Sequence, residues 1–106
     1  LELLLDIQSN QKQVVIRING VMDIATMDAF HVQMEQLPAT FSSLLLDFSN
    51  LEFIDSTGIG AIVELIYLSQ EKNFTIMFEG MNEDIEEIFE MLGVFRILEA
   101  LKKEGA

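Results

Sequence analysis

One run, Leu44-Leu45-Leu46-Asp47-Phe48-Ser49-Asn50-Leu51-Glu52-Phe53-Ile54-Asp55-Ser56-Thr57-Gly58-Ile59-Gly60, constrains the fold more than any other part of the chain. It reads as a buried strand, a short loop, and then Asp-Ser-Thr-Gly opening a strongly apolar helix. A hydroxyl at a helix mouth ordinarily serves as an N-cap, accepting a bond from a free backbone amide. Here Gly58 and Gly60 follow within four residues of Ser56, inside the predicted first turn. Each lowers helix propensity by about 1 kcal/mol relative to alanine. A start weakened in this way implies that something approaches its backbone closely. The rim carrying Ser56 is therefore the candidate functional region.

The rest of the chain supplies neighbours for this strand–helix unit. Leu3 to Ile7 and Gln13 to Asn19 read as strands, the second alternating Val14, Ile16 and Ile18 against Val15 and Arg17. Between them Ser9-Asn10-Gln11-Lys12 is polar turn material, which predicts a hairpin. A helix is predicted from Asp23 to about Leu37, with Ala25, Ala29, Phe30, Met34 and Leu37 inward and Pro38 ending it. Ser43 to Phe48 is almost continuously apolar, as expected of a strand covered on both faces. The helix from Thr57 to Lys72 has few polar positions, so it is either deeply buried or partly held for a partner. Phe74 to Glu79 reads as a strand. Asn82 caps a helix in which Ile85, Ile88, Phe89 and Leu92 share a face, with Gly93 at its C-terminal end. Val94 to Leu98 is predicted as a short strand and Glu99 to Glu104 as a helical tail.

This order implies an α/β fold: a mixed, mostly parallel sheet of four to five strands with an antiparallel edge strand, packed by three to four helices. Right-handed crossovers bring the C-terminal ends of the parallel strands to one rim, where ligand and partner sites gather. If the strands preceding Asp23 and Ser56 are neighbours, both residues share that edge.

Charge and composition remove several function classes. The formal charge is −12, and the 6 basic residues are scattered except at the tail, which disfavours direct nucleic-acid binding. A charge-steered partner should present a basic surface, although acidity also keeps an apolar-rich domain soluble. The 106 residues suit a single domain spanning 1–106. No stretch is long and apolar enough for a membrane span, and no signal peptide is evident, so no membrane partner and a cytoplasmic location are expected. The chain opens at Leu1 without methionine, which fits a domain excised from a larger protein.

Cysteine is absent, and the carboxylates lack the histidine or cysteine company of a metal site, so neither metal nor cofactor is expected. His31 is the only histidine and is far in sequence from Ser56, and no Gly-x-Ser-x-Gly elbow accompanies that serine. His31 is expected to be an ordinary surface residue, and the chain is not expected to be an enzyme.

Position alone leaves Ser56 open between a plain helix cap and a functional hydroxyl. The wider pattern adds to this. Gly20-Val21-Met22-Asp23, followed by Phe48-x-x-Leu51-x-Phe53-Ile54-Asp55-Ser56-Thr57-Gly58-Ile59-Gly60, resembles the STAS domain of bacterial anti-sigma factor antagonists. The similarity extends over nearly the whole chain, through Leu92-Gly93-Val94-Phe95. It implies that Ser56 is phosphorylated by a partner anti-sigma factor serine kinase. The unphosphorylated form would bind that kinase and free the sigma factor, and a protein serine phosphatase would reset the cycle. It further implies Asp23, Asp55, Ser56, Thr57, Gly58, Ile59 and Gly60 as the partner-binding set. The stretch after Phe95 is shorter than is usual in the family. Two rival roles share the fold: the cytoplasmic STAS domain of an anion transporter, and a scaffold or output domain of a stress-signalling complex.

Overall fold

The computed structural model describes residues 2–10 and 12–104. Strands β1 (Leu3–Ser9) and β2 (Gln13–Met22) form the antiparallel hairpin. Asn10 builds its turn by accepting the Lys12 and Gln13 amides, while Gln11 of the expected turn lies outside the described residues. A 3-10 turn (Ile24–Thr26) leads into α1 (Met27–Met34), β3 (Ser43–Ile54), α2 (Ser56–Lys72), β4 (Thr75–Glu79), α3 (Glu83–Met91) and α4 (Val94–Glu104). The sheet order is β1-β2-β3-β4, with β2, β3 and β4 mutually parallel. The expected α/β architecture is present, with four strands and four α-helices among the described residues.

The core occupies one face of the sheet. Leu3 and Leu5, then Val14, Ile16 and Ile18, then Leu44, Leu46 and Phe48, and finally Ile76 alternate inward and join one cluster with the helices. Phe48, Phe78, Phe89 and Phe95 meet there in edge and tilted contacts, with ring centroids 5.3–6.5 Å apart. β3 is therefore not covered on both faces as its apolar run suggested. Leu45 points the other way, half-buried between its register partners Val15 and Met77. Next to it Asp47 is buried because Arg17 and Ser49 hydrogen-bond it.

β1 and β2 run on to Ser9 and Met22, α1 ends at Met34, and three further departures from the sequence reading have a local reason. The helix expected from Asp23 begins as a 3-10 turn, because Asp23 and Thr26 form a reciprocal capping box and the Thr26 hydroxyl also donates to the Val21 carbonyl. The inward face is consequently Met27 and Phe30, with Met34 and Leu37 partly buried, while Ala25 and Ala29 are exposed. The expected loop after Phe48 is strand through Ile54, extended by irregularities in the β2–β3 register that accommodate its polar residues. Val94 to Leu98 is helix, not strand. Val94, Ile97, Leu98 and Leu101 recur at helical spacing and pack against the core, so α4 absorbs both the expected strand and the tail.

Candidate functional site

The pairing of β2 with β3 builds the site. Met22 and Ile54 are register partners at the ends of these parallel strands, so Asp23 and Asp55 leave the sheet side by side. Each then caps the helical segment that follows it. Asp23 Oδ1 accepts from Ala25 N at 3.0 Å and Thr26 N at 3.2 Å, and Asp55 Oδ1 accepts from Gly58 N at 2.9 Å. The Asp55 amide donates across to the Met22 carbonyl at 3.1 Å, tying the two exits together. Asp23 and Ser56 thus share one edge, as the adjacency of their strands required.

The cap of α2 is Asp55 and not Ser56. Ser56 is the first residue of the helix, with its side chain exposed beside that of Thr57. The first intrahelical bond runs from Ile59 N to the Asp55 carbonyl, at 2.9 Å. In helical geometry the Ser56 and Thr57 amides then have no acceptor within the helix, and the positive end of its dipole opens at the Ser56 hydroxyl.

The two glycines behave differently. Gly58, third in α2, is buried, and a Cβ there would lie 2.5 Å from the Met22 carbonyl oxygen. The close approach inferred from sequence is, at Gly58, that of the chain's own β2. Gly60 is the fifth residue of α2, just past the first turn, and is exposed. No atom beyond its own helical turn lies within 4 Å of the place its Cβ would take. Ile59, between them, is buried in the core.

Around this rim the exposed charge is acidic, with Glu52 and Asp28 exposed and Asp23 and Asp55 half-buried. Lysines gather at the other end of the sheet. The Lys12 carbonyl accepts the amides of Ser42 and Ser43 at the start of β3, and Lys72 ends α2. Lys102 lines a cavity of about 310 Å³ together with Asn73 and Phe74, which follow α2. The 17 residues of α2 separate the two ends by about 25 Å. His31 is exposed on α1, with its Nε2 3.7 Å from Glu64 Oε2. Glu64 is two turns along α2 from Ser56, so the fold does not bring His31 to that hydroxyl. Among the described residues no group of His, Cys, Asp and Glu is arranged to hold a metal ion.

Two features of this edge escaped the sequence reading. Ile24, directly after Asp23, is 78% exposed, and Phe53, directly before Ile54, is 53% exposed. In a sequence such residues look like core, since only the tertiary pairing shows that their strands end there. Away from the rim, the Asp47 carboxyl is held below its ordinary pKa, chiefly by the Ser49 hydroxyl and amide and further by Arg17, against the opposing effect of burial.

Known proteins share this architecture. The chain is 24% identical over 100 residues to the anti-sigma F factor antagonist of Paenibacillus polymyxa, covering 92% of this chain and 86% of that one. The solved anti-sigma factor antagonist SpoIIAA in its unphosphorylated form superposes with a TM-score of 0.72 at 16% identity, over 85% of this chain and 81% of that one. The STAS domain of a SulP transporter from Vibrio cholerae superposes with a TM-score of 0.67 at 20% identity, over 86% and 71%. At these identities the two structures attest the fold alone. No helix among the described residues is long and apolar enough to cross a membrane. The STAS domain family matches residues 5–104, which is nearly all of the chain, and the chain belongs to that family.

Proposed function

We propose that this chain is an anti-sigma factor antagonist, a phosphorylatable binding module and not an enzyme. Its unphosphorylated form binds an anti-sigma factor that is also a serine kinase, and the sigma factor is released. Phosphorylation of Ser56 ends that binding, and a protein serine phosphatase restores it. The observation that carries the reading is the placement of Ser56, exposed at the first position of α2 and relieved of the capping role by Asp55. Support comes also from the Paenibacillus polymyxa relative, named as an antagonist over nearly the same length.

The chemistry fits a switch in binding. A phosphate adds about −1.5 to −2 charges and a cluster of oxygens. Within the domain the free amides and dipole at the start of α2 accept such a group. Across a docked interface the same group meets desolvation and steric conflict. Asp23, Asp55, Ser56, Thr57 and Gly60 form the contact surface, with buried Gly58 and Ile59 fixing the helix start beneath it. ATP and magnesium belong to the kinase.

The test uses the anti-sigma factor kinase captured from the source cell on the immobilised unphosphorylated domain, then purified. With ATP it should add one phosphate, located on Ser56 by mass spectrometry. Ser56→Ala should abolish labelling and keep binding. Ser56→Asp should weaken binding by about 2–5 kcal/mol, as for an unpartnered charge in an interface. A phosphate elsewhere, or equal binding by the two variants, overturns the mechanism. The likeness to the SulP transporter domain favours one second reading, the cytoplasmic STAS domain of an anion transporter. Transmembrane segments encoded upstream in the same reading frame would decide for it.

A further inference from the structure

The strand order leaves one side of the sheet bare. β2, β3 and β4 are parallel and follow one another in a single direction without reversal. Right-handed crossovers therefore put α1 and α2 on the same face. α4 packs against α2, and α3 sends Phe89 against Phe48, so all four helices lie on the core side. Parallel strands are ordinarily covered on both faces. Here the second covering layer is missing.

Two rows of register partners cross the bare face. One is Gln8, Val15, Leu45 and Met77, apolar over β2, β3 and β4. Val15 and Leu45 are half-buried and Met77 is 37% exposed. The neighbouring row is Asp6, Arg17, Asp47 and Glu79. Arg17 Nε holds Asp47 Oδ2 at 3.2 Å, while Asp6 and Glu79 stand exposed at the two ends, outside any ion pair among the described residues. An apolar stripe thus runs beside two uncompensated carboxylates. A second copy does not suit such a face, because two chains of charge −12 would bring the same acids together.

The layer that this architecture lacks is helical, and helix geometry matches the face. Adjacent strands lie about 4.8 Å apart, and a helix advances about 5.4 Å per turn. Residues one turn apart on a helix laid across the strands therefore fall in turn over Val15, Leu45 and Met77. Asp6 and Glu79 are three strand spacings apart, about 14 Å, which a helix covers in about ten residues. We propose that the bare face docks a basic amphipathic helix of a partner protein. Its apolar stripe lies on Val15, Leu45 and Met77, and Lys or Arg side chains on one flank pair with Asp6 and Glu79. Recognition of this kind reads apolar anchors at one-turn spacing. The surface is distinct from the Ser56 rim and does not depend on the function proposed above, since α2 lies on the other side of the sheet.

The probe is a synthetic helical peptide of about 18 residues, with leucines in one stripe and two lysines about one strand-row apart on its flank, ten to eleven residues from each other. A peptide of the same composition with its leucines scattered is the control. Methyl NMR of the whole chain should show saturable shifts at Val15, Leu45 and Met77 with the striped peptide at micromolar concentration, and none at Ile24 or Met91, which are exposed elsewhere. Met77→Lys should weaken binding by about tenfold or more, and Asp6→Asn with Glu79→Gln should weaken it severalfold and flatten its salt dependence. Ser56→Asp should bind the peptide as wild type does.

Thermal melts on each variant separate lost binding from lost fold, and if Met77→Lys melts early the exposed carboxylate pair carries the test alone. Equal binding of the scattered peptide overturns the proposal, because net charge then suffices. Shifts centred on the Ser56 rim overturn it by moving the site, as does full affinity in the Asp6 and Glu79 variant. Concentration-dependent self-association through the same methyls, without peptide binding, would give the face to a second copy and refute the helical partner.

Discussion

Gly58→Ala is the perturbation whose consequence the structure defines most tightly. The added methyl would meet the Met22 carbonyl oxygen at 2.5 Å, and Met22 Cβ and Ile54 Cγ1 at 2.8 Å each. The oxygen cannot withdraw freely. It accepts the Asp55 amide at 3.1 Å, and Met22 is paired with Ile54 at the end of the β2–β3 ladder. Forcing atoms into a packed site costs about 1–3 kcal/mol, and a rigid backbone neighbour argues for the upper part of that range. Loosening the Asp55–Met22 hydrogen bond adds about 1 kcal/mol. Helix propensity returns about 1 kcal/mol, since alanine is preferred to glycine. The net destabilisation is about 2–3 kcal/mol, which in a domain of this size lowers the Tm by about 10 °C or more. Circular dichroism melts and urea titrations on the two proteins would measure it, with an unchanged urea slope showing that only stability has moved. A Gly58→Ala protein as stable as wild type would refute the reasoning, because α2 could then not start against the end of β2. Gly60→Ala, two positions further where a Cβ meets nothing, should instead gain about 1 kcal/mol, which makes the pair an internal control.

Three further outcomes follow from the same geometry. Ser56→Asp should keep the fold and shift stability by only about 0.3–1 kcal/mol in the favourable direction, as a carboxylate at a helix N-terminus does; a collapse in the thermal melt would contradict the placement of Ser56. Asp47 has a depressed pKa in the folded state, so its contribution to stability is fully present above the ordinary carboxylate value of about 3.9 and is lost as pH falls through the folded-state pKa. Comparing Asp47→Asn with wild type by urea titration across pH, the difference should be constant near neutrality and shrink in acid; a pH-independent difference would argue against the Ser49 and Arg17 contacts. If the proposed anti-sigma factor kinase presents a basic surface to this chain, association should slow as salt rises, mainly through the on-rate, and stopped-flow mixing at several ionic strengths would show whether the net charge of −12 acts in steering.

What the sequence made legible was whatever carries a period. Val14, Ile16 and Ile18 announced β2, and Ile85, Ile88 and Phe89 announced α3, because each pattern permits only one packing face. Val94 to Leu98 carried no period of its own. Four apolar residues in five fit a strand or a helix equally, and only Leu101, packed on the same face, makes the helix evident. α1 was misphased because one local hydrogen-bond set, the Asp23–Thr26 box, tightens its first turn and carries Met27 inward in place of Ala25 and Ala29. The polar end of β3, Ser49 to Glu52, could not be recognised as strand from composition. Its pairing depends on register irregularities against β2, which are tertiary facts. The rim itself was legible through Asp55-Ser56-Thr57-Gly58, yet Ile24 and Phe53 were not, since exposure at a strand end leaves no mark in the chain.

The assignment of the cap to Asp55 bears directly on how a switch at this rim could work. Had Ser56 capped α2, its hydroxyl would be committed to the helix, and esterifying it would remove a bond the fold relies on, at about 1 kcal/mol. Modification would then trade binding against stability. With Asp55 accepting the Gly58 amide at 2.9 Å, the first turn is held by a neighbour that phosphorylation leaves untouched. The Asp55 amide remains tied to Met22 by the backbone, so the strand exit does not depend on Ser56 either. Holding the helix and carrying the signal thus fall, in the proposed switch, to adjacent residues, Asp55 and Ser56. In the proposed switch the phosphorylated and unphosphorylated domains would share one fold and differ only in what the rim can dock.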